Sequence, residues 1–186
     1  MQKMRTIFPT ICIAFLLCAC SVGERGVRLD NSGKTEDSCV EAIFEILNES
    51  DRDALESLFS DNALSKIDNF DEQATILFEV FEGKECTWER TGLTVSDDAE
   101  NGKSIKKAVA WYSVSSGNEE FTFLIIDCLE DDNSSNNIGL YTLWVVDSEN
   151  EDSQLTAWQD METPGIHIAI AKYNNMNGRI AAPIEN

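Results

Sequence analysis

Two hydrophobic rhythms divide the chain near Gly83. Before it, apolar residues return every three or four positions, the spacing of one helix face. In SCVEAIFEILNESDRDALESLFS, Val40, Ile43, Phe44 and Leu47 form one such face. Ser50 is placed to cap a second short helix carrying Leu55, Leu58 and Phe59, with Asp51 and Asp53 against its amino-terminal dipole. In KIDNFDEQATILFEVFEGK, Ile67, Phe70, Ala74, Leu77, Phe78 and Phe81 keep helical register behind Asp68 or Asn69 as cap, and Gly83 suits a left-handed stop.

After Gly83 the period falls toward two. Residues 86–95, 104–115, 120–129 and 138–147 are rich in Thr, Val, Ile and aromatic residues, and DDAENGK, SSGNE and EDDNSSNN separate them as turns. Four strands with short connections predict an antiparallel meander. SENEDSQ reads as a further loop, Leu155–Met161 as a short helix, and TPGIHIAIA as a last short strand or extended tail. Helices followed by a run of strands specify an α+β fold, with the sheet curled around the helices and one face buried against them.

The amino terminus follows a different logic. Lys3 and Arg5 precede an uncharged, mostly apolar run from Ile7 to Ala19, the layout of a secretory signal. Thirteen helical residues span about 20 Å, short of the ~30 Å hydrocarbon core, so a permanent span is disfavoured. The run ends in Leu17-Cys18-Ala19-Cys20, which resembles a bacterial lipobox. That resemblance implies cleavage between Ala19 and Cys20 and a diacylglycerol thioether on Cys20, whose two acyl chains are enough for stable anchoring. Residues 20–37 are polar and contain three glycines, a tether reaching roughly 20–25 Å. The domain organisation is therefore a signal peptide over 1–19, a lipidated tether over 20–37 and one domain over 38–186.

Charge narrows the partners. Fourteen Lys and Arg stand against 34 Asp and Glu, a net charge of -20. Loss of residues 1–19 removes Lys3 and Arg5 and no acid, so 12 basic residues would face 34 acidic ones, or -22. Such a surface repels phosphate backbones and anionic headgroups, which excludes nucleic acid as an expected partner and leaves the Cys20 lipids as the membrane contact.

The lipobox, the polar tether, the paired helices, IDNFDEQATILFEVFEGK, GLYTLWVVD and the later PGIHI together resemble a family of uncharacterised lipoproteins from Gram-positive, mostly clostridial, bacteria. The resemblance runs roughly from Ser38 to Ile168. It implies an NTF2-like (cystatin-like) cone, with helices packed on a curled antiparallel sheet around an open cavity, and an extracytoplasmic location at the cell membrane. It implies no activity, because that fold serves enzymes, ligand binders and interaction modules alike.

Candidate chemistry is sparse. His167, the single histidine, lies in a strand-like Gly-Ile-His-Ile-Ala, and the chain has no Gly-x-Ser-x-Gly elbow. Asp127 is the candidate catalytic acid, of ketosteroid-isomerase-like type, since alternation puts it in line with Phe121, Phe123, Ile125 and Leu129 and apolar surroundings raise a carboxyl pKa. Asp131 to Asn136 offers oxygens at alternate positions but lacks the sixth-position glycine and twelfth-position Glu of a calcium loop, where Thr142 stands instead. It reads as a solvated hairpin loop, and no metal or cofactor is expected. Cys39, Cys86 and Cys128 allow at most one disulfide, with Cys39 and Cys86 flanking the helical layer and Cys128 in an apolar run. Trp111 shares a strand face with Ile105 and Val109, and Tyr112 the opposite face with Ala108, Ala110 and Val114. Trp111, Tyr112, Phe123, Tyr141 and Trp144 are the candidate lining of a ligand pocket, with core packing as the competing use. The expected function is binding of a small ligand or protein partner at the cell surface, and the alternative is a cavity enzyme using Asp127.

Overall fold

The computed structural model describes residues 36–100, 102–148, 159 and 161–170. The signal segment, Cys20, nearly all of the tether and, apart from Gln159 and Met161, the expected helix Leu155–Met161 lie outside these residues.

Helices α1 (Asp37–Glu49), α2 (Arg52–Leu58), α3 (Asp61–Leu64) and α4 (Phe70–Phe81) precede strands β1 (Cys86–Glu100), β2 (Lys103–Ser116), β3 (Glu119–Asp131), β4 (Gly139–Asp147) and β5 (Gly165–Ala169). The strands form one open, curled sheet in the order β1-β2-β3-β4-β5. The first four are antiparallel, as the turns predict, and β5 joins parallel to β4. That parallel pairing makes the sheet mixed, a geometry that a tight hairpin turn cannot connect.

The helices differ from the sequence reading at their ends. Ser50 does not cap α2; it closes α1 in a left-handed conformation, φ 52°, and Asp51 caps α2 by accepting from the Ala54 N–H at 3.0 Å. Helix α3 is too short for a periodic signal and is set by Ser60, whose Oγ accepts from the Ala63 N–H at 3.1 Å. Helix α4 starts at Phe70, so Ile67 packs on the core from the preceding turn. Asn69 precedes the helix without a side-chain cap bond, its Oδ1 accepting from Gln73 Nε2 instead.

The main core lies between the helices and the inner face of the sheet. Val40, Ile43, Phe44, Leu55, Leu77 and Phe81 meet Ala110, Tyr112, Val114, Phe121, Phe123, Ile125, Leu143 and Val145 there. Alternation along β2 reads true, with Val109 and Trp111 on the outer face. The outer face is not left to solvent: Leu124, Trp144, Val146 and Ala169 form a second apolar cluster with Val109, Trp111 and Met161. Strand β3 is therefore buried on both sides, which its unbroken run Phe-Leu-Ile-Ile reflects.

Gly139 explains how the helical layer is tied to the sheet. The Ser60 N–H donates to the Leu140 carbonyl at 2.9 Å, so the backbone between α2 and α3 runs against the start of β4. A Cβ on Gly139 would stand 3.0 Å from the Leu58 carbonyl oxygen, and its φ of 124° is one that side-chain-bearing residues avoid. Gly83, φ 66°, has open space around it. Gly139→Ala is expected to destabilise the fold by about 2 kcal/mol or more, and Gly83→Ala by about 1 kcal/mol, in urea denaturation.

Candidate functional site

The interior that a pocket would occupy is filled by rings. Phe44 stacks on Phe123 with centroids 5.5 Å apart, and Phe81 sets its edge against Phe121 and Phe123 at 5.3 and 5.5 Å. Trp88 meets Tyr112 edge-on at 5.5 Å. The five aromatic candidates are not brought together. Tyr112 and Phe123 are fully buried in the main core, Tyr141 is half-buried at its margin under Lys66, and Trp111 and Trp144 are on the outer face. Trp144 stacks on His167 at 4.4 Å, and the His167 Nε2 lies 3.0 Å from the Thr163 carbonyl oxygen. That places the histidine on a strand, packed against an indole.

Asp127 occupies the place that alternation gives it. The register sets it beside Ala108 of β2 and Leu140 of β4, on the inner face and one step beyond Ile125. Leu129 does not continue the row, because the β2–β3 register shifts between Lys106 and Lys107 and Leu129 falls at the bulge. Asp127 keeps part of its surface open, but its Oδ1 is buried and finds no hydrogen-bond donor among the described residues.

Helix α1 begins over this end of the sheet, with Glu36 just before it and Cys39 in its first turn. Burial, then the charge of Glu36, pushes the Asp127 carboxyl from its ordinary 3.8 up to about 6, against a small opposing effect of the Cys128 N–H. Burial followed by the charges of Asp127 and Glu36 holds the Cys39 thiol well above its usual range. Tyr112 is likewise raised, first by burial and then by Asp37, which accepts from its hydroxyl at 3.4 Å and from Arg90 Nη1 at 2.7 Å. At neutral pH the thiol and the phenol are therefore protonated donors, while Asp127 titrates near the physiological range.

Strand β1 supplies a further pair of residues that sequence reasoning missed. Leu93 and Val95 are the exposed large hydrophobics of the described residues, at 40% and 44% exposure. They pair with Ala110 and Ala108, so they lie on the inner face with Asp127 rather than with Trp111. A β-bulge puts them there. The register slips between Arg90 and Gly92, and the extra residue, Thr91, reverses the facing of everything after it. A Leu-x-Val alternation was visible in the sequence; the bulge was not.

The remaining candidates have structural roles. Asp131 accepts from the Asn133 and Ser134 N–H groups at 2.7 and 3.1 Å and from Asn137 Nδ2 at 2.6 Å, which holds its carboxyl below the usual range and folds the loop on itself. Thr142 is buried and donates to the Thr163 carbonyl at 2.6 Å, joining β4 to the approach to β5. Cys39, Cys86 and Cys128 are free thiols. No cluster of metal ligands occurs among the described residues, and none of their helices is long and apolar enough to cross a membrane.

A family model described as "Domain of unknown function (DUF5104)" matches residues 42–148. The chain belongs to this family. The DUF5104 match runs from the first turns of α1 through β4, so it takes in Asp127, Leu93 and Val95 and stops short of β5 and His167. No curated protein and no solved structure matches the chain.

The Asp127 pKa has a stability consequence whose sign is fixed. A carboxyl raised in the folded state binds its proton more tightly there than in the unfolded chain. Its contribution is therefore most favourable below about pH 4 and is lost as pH rises through about 6. Asp127→Asn is expected to stabilise the protein relative to wild type by on the order of 2–3 kcal/mol at pH 7.5, with the gain shrinking toward zero near pH 4, as measured by urea denaturation.

Proposed function

We propose that this DUF5104 chain is a lipoprotein held on the extracytoplasmic face of the cell membrane by lipids on Cys20. We propose further that its α+β domain, of NTF2-like design, acts there by binding a small ligand or a protein partner rather than by catalysis. The anchoring half rests on Leu17-Cys18-Ala19-Cys20 at the end of a short uncharged run behind two cations. Amino-terminal helices packed on one face of a curled meander support the NTF2-like design.

The binding half rests on one observation. The large exposed apolar side chains, Leu93 and Val95, lie together on the edge strand β1, while the interior is filled by phenylalanine and tyrosine rings. An edge strand with exposed apolar residues is a docking surface in waiting, because among the described residues no strand pairs with the outer edge of β1.

A second reading, an acid–base enzyme using Asp127, draws on the carboxyl raised to about 6 and its unpartnered Oδ1. Its charged neighbour is a second acid, Glu36, and the Cys39 thiol is protonated, so the groups around Asp127 offer no cationic or electrophilic stabiliser for a developing oxyanion, which makes binding the stronger reading. An Asp127 carboxyl that titrates near 3.8 by carbon-13 NMR removes the enzyme.

Metabolic labelling with an alkynyl fatty acid is expected to mark the wild-type chain and leave Cys20→Ser unlabelled and released from the membrane fraction; a labelled Cys20→Ser overturns the anchor. A photo-crosslinking residue placed at Leu93 in living cells is expected to give a covalent small-molecule or protein adduct by mass spectrometry. The same residue at exposed Glu79 on α4 should give none, and equal labelling at both positions removes the binding surface.

A further inference from the structure

We infer that the Asp127 end of the inner sheet face is a subsite for a small apolar molecule carrying a protonated amine. The inference rests on the binding reading above and names the ligand chemistry for it. Three features converge. The Asp127 Oδ1 is buried and has no donor among the described residues, although a buried carboxylate oxygen is ordinarily hydrogen-bonded. Among the described residues, the charge that bears on Asp127 is a second acid, Glu36, with the Cys39 thiol of α1 within electrostatic reach and Cys128 beside it on β3, and no described lysine or arginine offsets the carboxylate. Lys107 acts on Cys128, and Arg90 is engaged with Asp37.

The third feature is the apolar flank. The row Val95, Ala108, Asp127 crosses three neighbouring strands on one face, with Leu93 and Ala110 in the row beside it. Strands stand about 4.8 Å apart, so Val95 is roughly 10 Å from Asp127, with only the methyl group of buried Ala108 between them. An ammonium at the open side of Asp127 would pair with the carboxylate once the carboxyl turns its unpartnered oxygen outward, and would offset the charge of Glu36, and a body of aryl or short alkyl size would reach Leu93 and Val95. An anion meets two carboxylates there, and a neutral alcohol supplies a donor without the charge. A divalent metal ion lacks the three ligands it needs among the described residues.

The test uses the full-length protein purified in detergent, with 2-phenylethylamine and 2-phenylethanol as matched probes. At pH 7.5 the amine is expected to raise the melting temperature saturably and to lower the Asp127 carboxyl titration below about 6 in carbon-13 NMR, with the alcohol doing neither. Asp127→Asn should abolish the discrimination between the two probes. Leu93→Ser with Val95→Ser should weaken amine binding several-fold while leaving the Asp127 titration of the free protein in place. Equal binding of amine and alcohol, no binding of the amine, or discrimination that survives Asp127→Asn overturns the inference. Adduct formation at Leu93 in cells reports separately on the binding surface, so its failure is distinguishable from failure of the amine subsite.

Discussion

The domain is organised around the withdrawal of β3 from water on both faces. Phe121, Phe123 and Ile125 project toward the helices, and Leu124 and Ile126 toward the outer side. Phe123 is wedged between Phe44 of α1 and Phe81 of α4, so one side chain joins the two longest helices to the centre of the sheet. Rings of this size dominate core energetics through the area they remove from water. The rest of the layout follows: a strand buried on both sides needs a neighbour at each edge and a cover on each face. Strands β2 and β4 provide the first, and the helices and the tryptophan cluster provide the second.

That arrangement accounts for the position of the acid. The ring-filled part of the inner face ends at Ile125, and the next inward residue of β3, Asp127, stands where the aromatic packing stops and α1 begins. A carboxyl deeper in the row would be surrounded by phenylalanine; one beyond the strand end would be hydrated. At the boundary it is dry enough to be perturbed and open enough to exchange protons, the condition under which titratable groups acquire roles. Asp131, four residues on, shows the contrast: three donors satisfy it and its pKa falls.

What the sequence disclosed and withheld divides along a physical line. Local periodicity revealed α1, α4, the four antiparallel strands, the opposite facing of Trp111 and Tyr112, and the inward facing of Asp127. Each of these depends on side-chain phase within one element. Features that depend on a partner distant in the chain were not legible. The parallel pairing of β5, the approach of Leu58 to Gly139 and the closeness of Glu36 and Cys39 to Asp127 belong to this class. Helix α3 and the exchange of roles between Ser50 and Asp51 were hidden for another reason: within a few residues, several capping arrangements are nearly equivalent.

The bulge at Thr91 bears on how the family can vary. Because pairing with β2 sets which side of the sheet Leu93 and Val95 face, the length of β1 carries parity as well as extent. Loss of the unpaired Thr91 would leave a regular strand with Leu93 and Val95 still opposite Ala110 and Ala108, whereas one residue gained between Gly92 and Leu93 without a second bulge would turn both outward. The extra residue is therefore neutral for the facing of the apolar pair, and an unabsorbed insertion is not. A lineage carrying one would have given that face different work.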